Sequence, residues 1–152
     1  MKARTGFTLV ETLISVVVVS LLMMIAYPKV ASSMAKTDLR SARTALVNAA
    51  ASARSAATES SRTTWLKFEG NRAVVLARPR RTAGAPGSNA DTVGVVLDLN
   101  EAYGVTVTAV SDSIRFNPGG FGTDLAASET ITISRGSHAE SITVDALGRV
   151  TK

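Results

Sequence analysis

The sequence predicts an α+β fold, in which a long N-terminal helix packs on a small antiparallel β-sandwich-like domain. Residues 7–60 combine an apolar run with an alanine-rich amphipathic pattern, and both patterns are typical of helix. From residue 63 onward, β-branched residues are interrupted by glycine, proline and asparagine, which is typical of short strands joined by turns. We therefore expect a short basic leader, an apolar helix, an amphipathic helix and a β-rich domain, at residues 1–6, 7–28, 29–61 and 62–152.

The apolar helix is predicted to span a membrane. Phe7–Tyr27 contains 21 residues, and Glu11 is its only charged side chain. At about 1.5 Å per residue, a helix of this length crosses roughly 30 Å, which is the thickness of a bilayer core. A secretory signal peptide would carry a shorter apolar stretch followed directly by a small-x-small cleavage pattern, which this segment lacks. A membrane helix is thus favoured over a secretory signal peptide.

The helix is predicted to continue to about Ser60 as an amphipathic helix that covers a sheet. Alanine, the strongest helix former, is frequent from Ala31 to Ala57. Pro28 is expected to kink the helix and not to end it, since the periodicity resumes at once. The expected apolar side recurs at spacings of three to five, at Val30, Met34, Leu39, Ala42, Leu46, Ala49, Ala53 and Ala57. The opposite side carries the bases Lys36, Arg40, Arg43 and Arg54.

The β-rich domain is predicted to contain short strands of a half-buried antiparallel sheet. Valine or isoleucine alternates with threonine in residues 105–108 and 130–133, which places the apolar side chains on one face. The expected strands are Thr64–Phe68, Ala73–Ala77, Val93–Leu97, Val105–Val110, Ile114–Phe116, Thr130–Ser134, Ser141–Val144 and Arg149–Thr151. Turns are expected at residues 69–71, 117–120, 135–137 and 146–148, and a long loop at Arg78–Asp91.

The composition argues against an enzyme and against a metal or other cofactor. The chain has no cysteine and a single histidine, His138, which is expected in a polar surface turn. Neither a catalytic acid pair nor a phosphate-binding glycine loop is recognisable. The net charge of +5 is concentrated outside the predicted β-rich domain, since residues 62–152 hold ten basic and nine acidic side chains. The high isoelectric point therefore does not by itself indicate a nucleic-acid binder.

A short basic leader, a glycine, an aromatic residue and a lone carboxylate follow one another at the N-terminus, in the order MKARTGFTLVE. This pattern resembles the prepilin processing signal of the type IV pilin and type II secretion pseudopilin superfamily, and Pro28 matches a common proline of that family. The resemblance implies that a prepilin peptidase cuts after Gly6 and methylates the new amine of Phe7. It also implies assembly with other pilin or pseudopilin subunits in a filament.

Glu11 is the candidate assembly residue. Inserting a carboxylate into a bilayer costs about 2.5–3.5 kcal/mol, so an isolated glutamate is expected to have a charged partner or a functional role. The cleaved amine of Phe7 and the unpaired N–H groups of the helix terminus form a positive site for it. Glu11 could bond its own terminus, or it could be a tolerated side chain near the membrane surface. A pair across two subunits would neutralise both charges and set their axial register.

Two signals disagree about the orientation in the membrane. The processing motif places Lys2 and Arg4 in the cytoplasm, with the globular domain on the periplasmic side of a bacterial inner membrane. The positive-inside rule alone favours the opposite topology, because Lys29, Lys36 and the arginines after them outnumber the leader bases. We give precedence to the processing motif. An inner-membrane assembly platform is the further partner that the resemblance implies.

The C-terminal part resembles the pseudopilin H and FimT family of minor subunits. The resemblance rests on the segment SIRFNPGG at residues 113–120, on the strands at 130–134 and 141–144, and on the ending GRVTK at residues 148–152. It implies a minor subunit at or near a filament tip, which serves type II secretion, type IV pilus assembly or DNA uptake.

DNA binding is the alternative function. FimT-like DNA receptors carry a Gly-Arg-x-Arg type C-terminus, and Gly148 and Arg149 match it, whereas Thr151 replaces the second arginine and Lys152 follows. Three further bases of the long loop could contact phosphates, namely Arg78, Arg80 and Arg81. The departure at Thr151 and the nearly neutral domain favour a solvated basic loop over a DNA site.

Overall fold

The first element of the computed structural model is a helix of 52 residues, α1 (Leu9–Ser60). The structure describes residues 8–79, 90–94, 96–123 and 128–151. The N–H of Glu11 donates to Thr8 Oγ1 at 3.2 Å, so Thr8 caps the start of α1. The helix runs through Pro28 and ends at Ser60, which confirms the predicted continuous helix and its end. The chain divides into two units, residues 1–35 and 36–152.

In the second unit, the buried face of α1 begins at Leu39. The buried positions recur every three or four residues and are Leu39, Ala42, Leu46, Ala50, Ala53 and Ala57. The predicted apolar side is therefore correct from Leu39 onward, although Ala49 is only partly buried beside Ala50. It is wrong at Val30 and Met34, which are 56% and 61% exposed and belong to the first unit.

Two antiparallel sheets form the rest of the second unit. The elements in chain order are β1 (Thr64–Glu69), β2 (Arg72–Ala77), β3 (Asp91–Thr92), β4 (Leu97–Asp98), α2 (Leu99–Tyr103), β5 (Thr106–Ala109), β6 (Ser113–Phe116), β7 (Gly122–Thr123), β8 (Ser128–Arg135), β9 (His138–Asp145) and β10 (Val150–Thr151). The first sheet has the order β3-β2-β1-β6-β7, with β4 also paired to β2, and the second has the order β10-β9-β8-β5. The α+β prediction is confirmed.

The core of this unit is built from alternate residues of the two sheets and from the buried face of α1. Leu66, Ile114 and Phe116 of the first sheet are fully buried, as are Ile133 and Val144 of the second. The small alanines of α1 permit close approach between the helix and the sheets, because they add little bulk at the interface. The alternation seen in the sequence thus marks the faces that meet in the core.

Most predicted strands are confirmed, but the prediction at Val93–Leu97 is wrong. The N–H of Val93 still donates to Val75 O at 2.8 Å, beyond the end of β3. Gly94 then takes a φ of +83°, which L side chains rarely adopt and which turns the chain away from β2. The chain returns as β4, where Leu97 pairs with Ala73.

Three smaller features also differ from the expectation. The helix α2 was not predicted because its five residues show no helical periodicity. Its N-cap Asp98 accepts hydrogen bonds from the N–H groups of Asn100 and Glu101.

His138 lies at the start of β9 and pairs with Arg135, and only Gly136 and Ser137 form the loop, so the surface-turn prediction for His138 is wrong. The short strand β7 was missed. In the predicted loop Arg78–Asp91, residues 80–89 lie outside the described residues, and Asp91 belongs to β3.

Polar contacts join α1 to the hairpin of β8 and β9. The guanidinium of Arg135 pairs with Asp38 of α1 and donates to the carbonyl of Tyr103 at 2.7 Å. Five residues further along α1, Arg43 Nη1 lies 3.0 Å from Glu140 Oε2. These contacts fix the position of the helix along the second sheet.

A buried carboxylate holds the turn between β5 and β6, and its removal is predicted to destabilise the fold. Glu129 is 6% exposed, and its two oxygens accept from the N–H of Ser111 at 2.6 Å and from the Ser111 hydroxyl at 3.1 Å. Glu129→Ala should lower the free energy of unfolding by about 1.5–3 kcal/mol, because hydrogen bonds to a charged group are lost. Urea unfolding of the full chain in detergent measures this value. Glu59→Ala, at an exposed position of α1, is the control and should stay within about 0.5 kcal/mol of the parent; equal losses in the two variants would contradict the role of Glu129.

Candidate assembly site and candidate nucleic-acid interface

The first half of α1 exposes an apolar surface on every side. From Leu9 to Tyr27, the large apolar side chains are 48–79% exposed. By length and composition, this helix could cross a membrane. Monomeric soluble proteins rarely leave a continuous apolar surface of this extent in water. Lipid tails or other apolar helices are therefore its natural surroundings.

The hydroxyl groups in this apolar stretch are satisfied within the helix itself. Thr12 Oγ1 donates to Leu9 O, Ser15 Oγ donates to Glu11 O, and Ser20 Oγ donates to Val16 O, each at 2.8 Å. Such bonds to the preceding turn allow serine and threonine to enter an apolar environment without an unpaired donor. The one charged side chain of this stretch, that of Glu11, has no ion-pair partner in the part of the chain that the structure describes.

Glu11 lies in the first turn of α1. The N–H groups of a first turn have no partners within the helix and carry partial positive charge, so this end of α1 attracts an anion. Gly6 and Phe7, the predicted cleavage and methylation residues, lie outside the described residues. The structure therefore places the carboxylate at the helix terminus, and the processing site stays a prediction.

The candidate DNA-binding residue Arg149 is partly neutralised by a neighbour. Its side chain is 66% exposed, and its Nε lies 3.0 Å from Asp145 Oδ2. The backbone N–H of Arg149 also donates to Asp145 Oδ1 at 2.8 Å. Chiefly this backbone hydrogen bond, and then the guanidinium, keeps the pKa of Asp145 below its usual value, so the carboxylate is charged at neutral pH.

The predicted DNA-binding residues are not brought together by the described part of the structure. Arg78 follows β2 of the first sheet, whereas Arg149 precedes β10 of the second. The Arg78 carbonyl accepts a hydrogen bond from Arg62 Nη1 at 2.6 Å, and the same nitrogen lies 3.0 Å from Asp91 Oδ2. Arg80, Arg81 and Lys152 lie outside the described residues.

A different arginine, Arg54, lines the same groove as Arg149. A groove of about 580 Å³ separates α1 from the C-terminal end of the chain, and we call it the α1–β10 groove. Its lining is formed by Val47, Ala51, Arg54, Ser55, Thr58, Gly148, Arg149 and Val150. The sequence placed Arg54 only on the polar side of a helix. No local signal connects it with Arg149, because the two residues meet only through tertiary packing.

Two turns pack against each other at one end of this groove. The N–H of Gly120 donates to Asn117 O, and the N–H of Gly148 donates to Asp145 O, each at 2.8 Å. Gly120 and Gly148 have φ values of +76° and +70°. A Cβ at residue 148 would lie 2.7 Å from the carbonyl oxygen of Gly120, and one at residue 120 would lie 3.2 Å from Arg54 Nε. The turns predicted at residues 117–120 and 146–148 are confirmed, and their glycines allow this close contact.

Potential metal ligands do not cluster in the described ranges. No group of three or more histidine, cysteine, aspartate or glutamate side chains is placed to hold a metal ion among the residues that the structure covers.

Two protein families match the chain. The prokaryotic N-terminal methylation motif matches residues 1–27, and the type II transport protein GspH family matches residues 42–148. No curated protein matches the sequence.

The fold resembles a solved minor pilin. Two crystal forms of the type IV minor pilin FimU from Pseudomonas aeruginosa PAO1 are similar. The P21 form has a TM-score of 0.58 at 18% identity, over 76% of this chain and 88% of FimU. The P65 form has a TM-score of 0.53 at 16% identity, over 74% and 90%. Together with the GspH match, which covers more than half of the chain, the fold and the methylation motif lead to one conclusion: this chain belongs to the GspH family and is a minor pilin or pseudopilin subunit.

Proposed function

We propose that this subunit is cut after Gly6, methylated on the amine of Phe7, and assembled through α1 into a type II secretion pseudopilus or a type IV pilus. The observation that carries the proposal is the continuous exposed apolar surface from Leu9 to Tyr27, with its single carboxylate in the first helical turn. A plain membrane anchor would need the apolar surface but would gain nothing from the carboxylate. An assembly helix uses both.

Cleavage supplies the partner that Glu11 lacks among the described residues. The new amine of Phe7 would precede Glu11 by four residues in the sequence, so every subunit would carry a cation and an anion near the start of α1. When two helices pack in a filament, the amine of one can pair with the carboxylate of the other. Pairing in an apolar environment strongly favours the axial position at which both charges are compensated. The apolar side chains then supply the contact area around this pair.

The subunit would begin in the inner membrane, with its β-rich domain on the periplasmic side. In this orientation, the leader with Lys2 and Arg4 stays at the cytoplasmic face, where a membrane-embedded peptidase can reach Gly6. The exposed Lys29 and Lys36 then lie on the outer flank, against the positive-inside rule. An assembly platform in the same membrane would extract the processed subunit into the filament.

N-terminal sequencing of the mature protein tests the processing step. We expect the protein from membranes of a strain with an intact prepilin peptidase to begin at residue 7 with a methylated phenylalanine, because a side chain-free glycine precedes the cut. Protein from a strain without the peptidase is the control and should keep the leader. A mature start at any other residue would overturn the proposed cleavage and the role of the amine.

DNA binding stays a prediction from the sequence. Within the described residues, Arg149 pairs with Asp145, and Arg78 follows β2 of the other sheet. A DNA site built on the predicted residues would need several cations on one surface to contact successive phosphates. The described contacts therefore favour assembly over nucleic-acid binding as the proposed function.

A further inference from the structure

We propose that the α1–β10 groove binds an extended acidic segment of a neighbouring filament subunit, which adds to the second sheet as a strand beside β10. The proposed function is needed only to identify where this segment comes from, because the neighbours of a filament subunit are other subunits. The binding itself is a property of the second unit and requires neither cleavage nor assembly.

The free edge of β10 is the first observation. The backbone N–H of Asp145 donates to the carbonyl oxygen of Arg149 at 3.0 Å. Hydrogen-bonded and non-hydrogen-bonded pairs alternate in an antiparallel ladder, so the next pair, Val144 with Val150, is non-hydrogen-bonded. The N–H and C=O of Val150 therefore point away from β9. Neither group has a hydrogen-bond partner among the described residues. An added strand would use both groups.

The opposite edge of the same sheet is different. There, the N–H of Val107 in β5 donates to Asn71 Oδ1 at 3.0 Å. Asn71 belongs to the loop between β1 and β2, so this loop covers the edge of the second sheet at Val107. Exposed edges are commonly blocked in this way to prevent pairing with other chains. Among the described residues, the backbone groups of Val150 in β10 have no such cover.

The groove has the space and the lining for a peptide. Its volume of about 580 Å³ lies within the roughly 300–1,000 Å³ that is usual for ligand pockets. Val47 and Val150, both partly buried, supply apolar surface to its lining. Ala51 and Ser55 of α1 are small and exposed, so they leave room for side chains that project from an added strand. Alternate side chains of that strand would face α1.

The charges of the groove select an acidic segment. Arg54 has no ion-pair partner in the described part of the chain, whereas Arg149 pairs with Asp145. Among the described residues, these two guanidinium groups and one carboxylate leave the groove with one uncompensated positive charge. A glutamate or aspartate of the added strand would supply the missing anion. Duplex DNA is disfavoured, because the Asp145 carboxylate beside Arg149 repels phosphate and a duplex cannot pair with the backbone of Val150.

Peptide binding to the full-length protein in detergent micelles tests the proposal. The probe is a fluorescein-labelled, acetylated hexapeptide of alternating threonine and valine with one central glutamate. Two matched peptides carry glutamine or lysine in place of the glutamate, and a third carries the glutamate with alternate backbone amides N-methylated. Fluorescence anisotropy gives the dissociation constants. The amide signal of Val150 in the nitrogen-15 spectrum reports whether the peptide reaches β10.

We expect the glutamate peptide to bind most tightly and to shift the Val150 amide signal. The glutamine and the N-methylated peptides should each bind about tenfold more weakly, because each lacks one of the two recognition elements. Arg54→Gln should weaken binding of the glutamate peptide about tenfold and leave binding of the glutamine peptide unchanged. Arg40→Gln removes another exposed arginine of α1, outside the groove, and is the matched control, with less than about a twofold effect.

Several results would overturn the proposal. Equal binding of the glutamate, glutamine and lysine peptides would exclude charge recognition, and equal binding of the N-methylated peptide would exclude strand addition. An unchanged Val150 signal at saturation would place the peptide elsewhere. Displacement of the bound peptide by a short DNA duplex would assign the groove to nucleic acid instead. All these measurements use the unassembled protein, so a failure of peptide binding leaves the proposed assembly role standing, and a failure of assembly leaves peptide binding testable.

Discussion

Glu11→Ala should leave cleavage and membrane insertion intact and remove the subunit from filaments. The substitution makes insertion easier, because it removes a side chain that costs about 2.5–3.5 kcal/mol at the bilayer centre. In a filament, however, the amine of a neighbouring Phe7 would then be left without its anion in an apolar environment. Breaking such a buried pair by deleting one partner typically costs about 3–5 kcal/mol, which is a factor of more than a hundred in an equilibrium constant.

Immunoblots of sheared filaments and of the membrane fraction measure this effect. Ser20→Ala is the matched control, because Ser20 lies on the same apolar helix but its hydroxyl donates to Val16 O in the preceding turn. This control variant should enter filaments normally. Glu11→Gln separates charge from hydrogen bonding and should fail as the alanine variant does. Normal incorporation of Glu11→Ala would show that Glu11 is only a tolerated side chain near the membrane surface.

Gly148→Ala should destabilise the second unit far more than the same substitution at another left-handed glycine. Its φ of +70° costs an L residue about 1–2 kcal/mol. The new methyl would also lie 2.7 Å from the carbonyl oxygen of Gly120 and 3.4 Å from Cε1 of the fully buried Phe116. Overpacking of this kind adds typically about 1–3 kcal/mol, so the expected loss is about 2–5 kcal/mol.

Gly136→Ala is the control for the backbone contribution. Gly136 has a similar φ of +58° in the loop between β8 and β9, but a Cβ there would meet nothing within 4 Å. Its loss should therefore stay near the backbone cost of about 1–2 kcal/mol. Urea unfolding of both variants in detergent gives the comparison. Equal losses would mean that the turns at residues 117–120 and 146–148 do not pack as closely as the structure shows.

The helix and most strands were predictable because their signals are local. Continuous apolar and alanine-rich periodicity marks α1 up to Ser60, and strict alternation marks β8 and β9. Prediction failed where a single backbone feature outweighed composition. Gly94 interrupts a run of valines at Val93–Leu97, and the caps Asp98 and Gly104 enclose a helix too short to show a period.

The exposed apolar residues Val30 and Met34 show a second limit of prediction from the sequence. Periodicity identifies apolar positions, but it does not say whether they are buried by the same chain or left for another molecule. Leu39 continues the same pattern and is buried in the core, whereas Met34 is exposed. In a filament subunit, that difference separates contacts that stabilise the monomer from contacts open to neighbouring helices.

The sequence by itself determined the membrane-length helix, the family resemblance and the choice of Glu11 as the candidate assembly residue, because a lone charge within an apolar run is visible in one dimension. Only the tertiary structure decided that Arg54 and Arg149 line one groove, that Asp145 already pairs with Arg149, and that Val150 presents an open strand edge. These facts depend on pairings between residues distant in the chain. Such pairings follow from the register of β9 with β10 and from the packing of α1, neither of which a local pattern encodes.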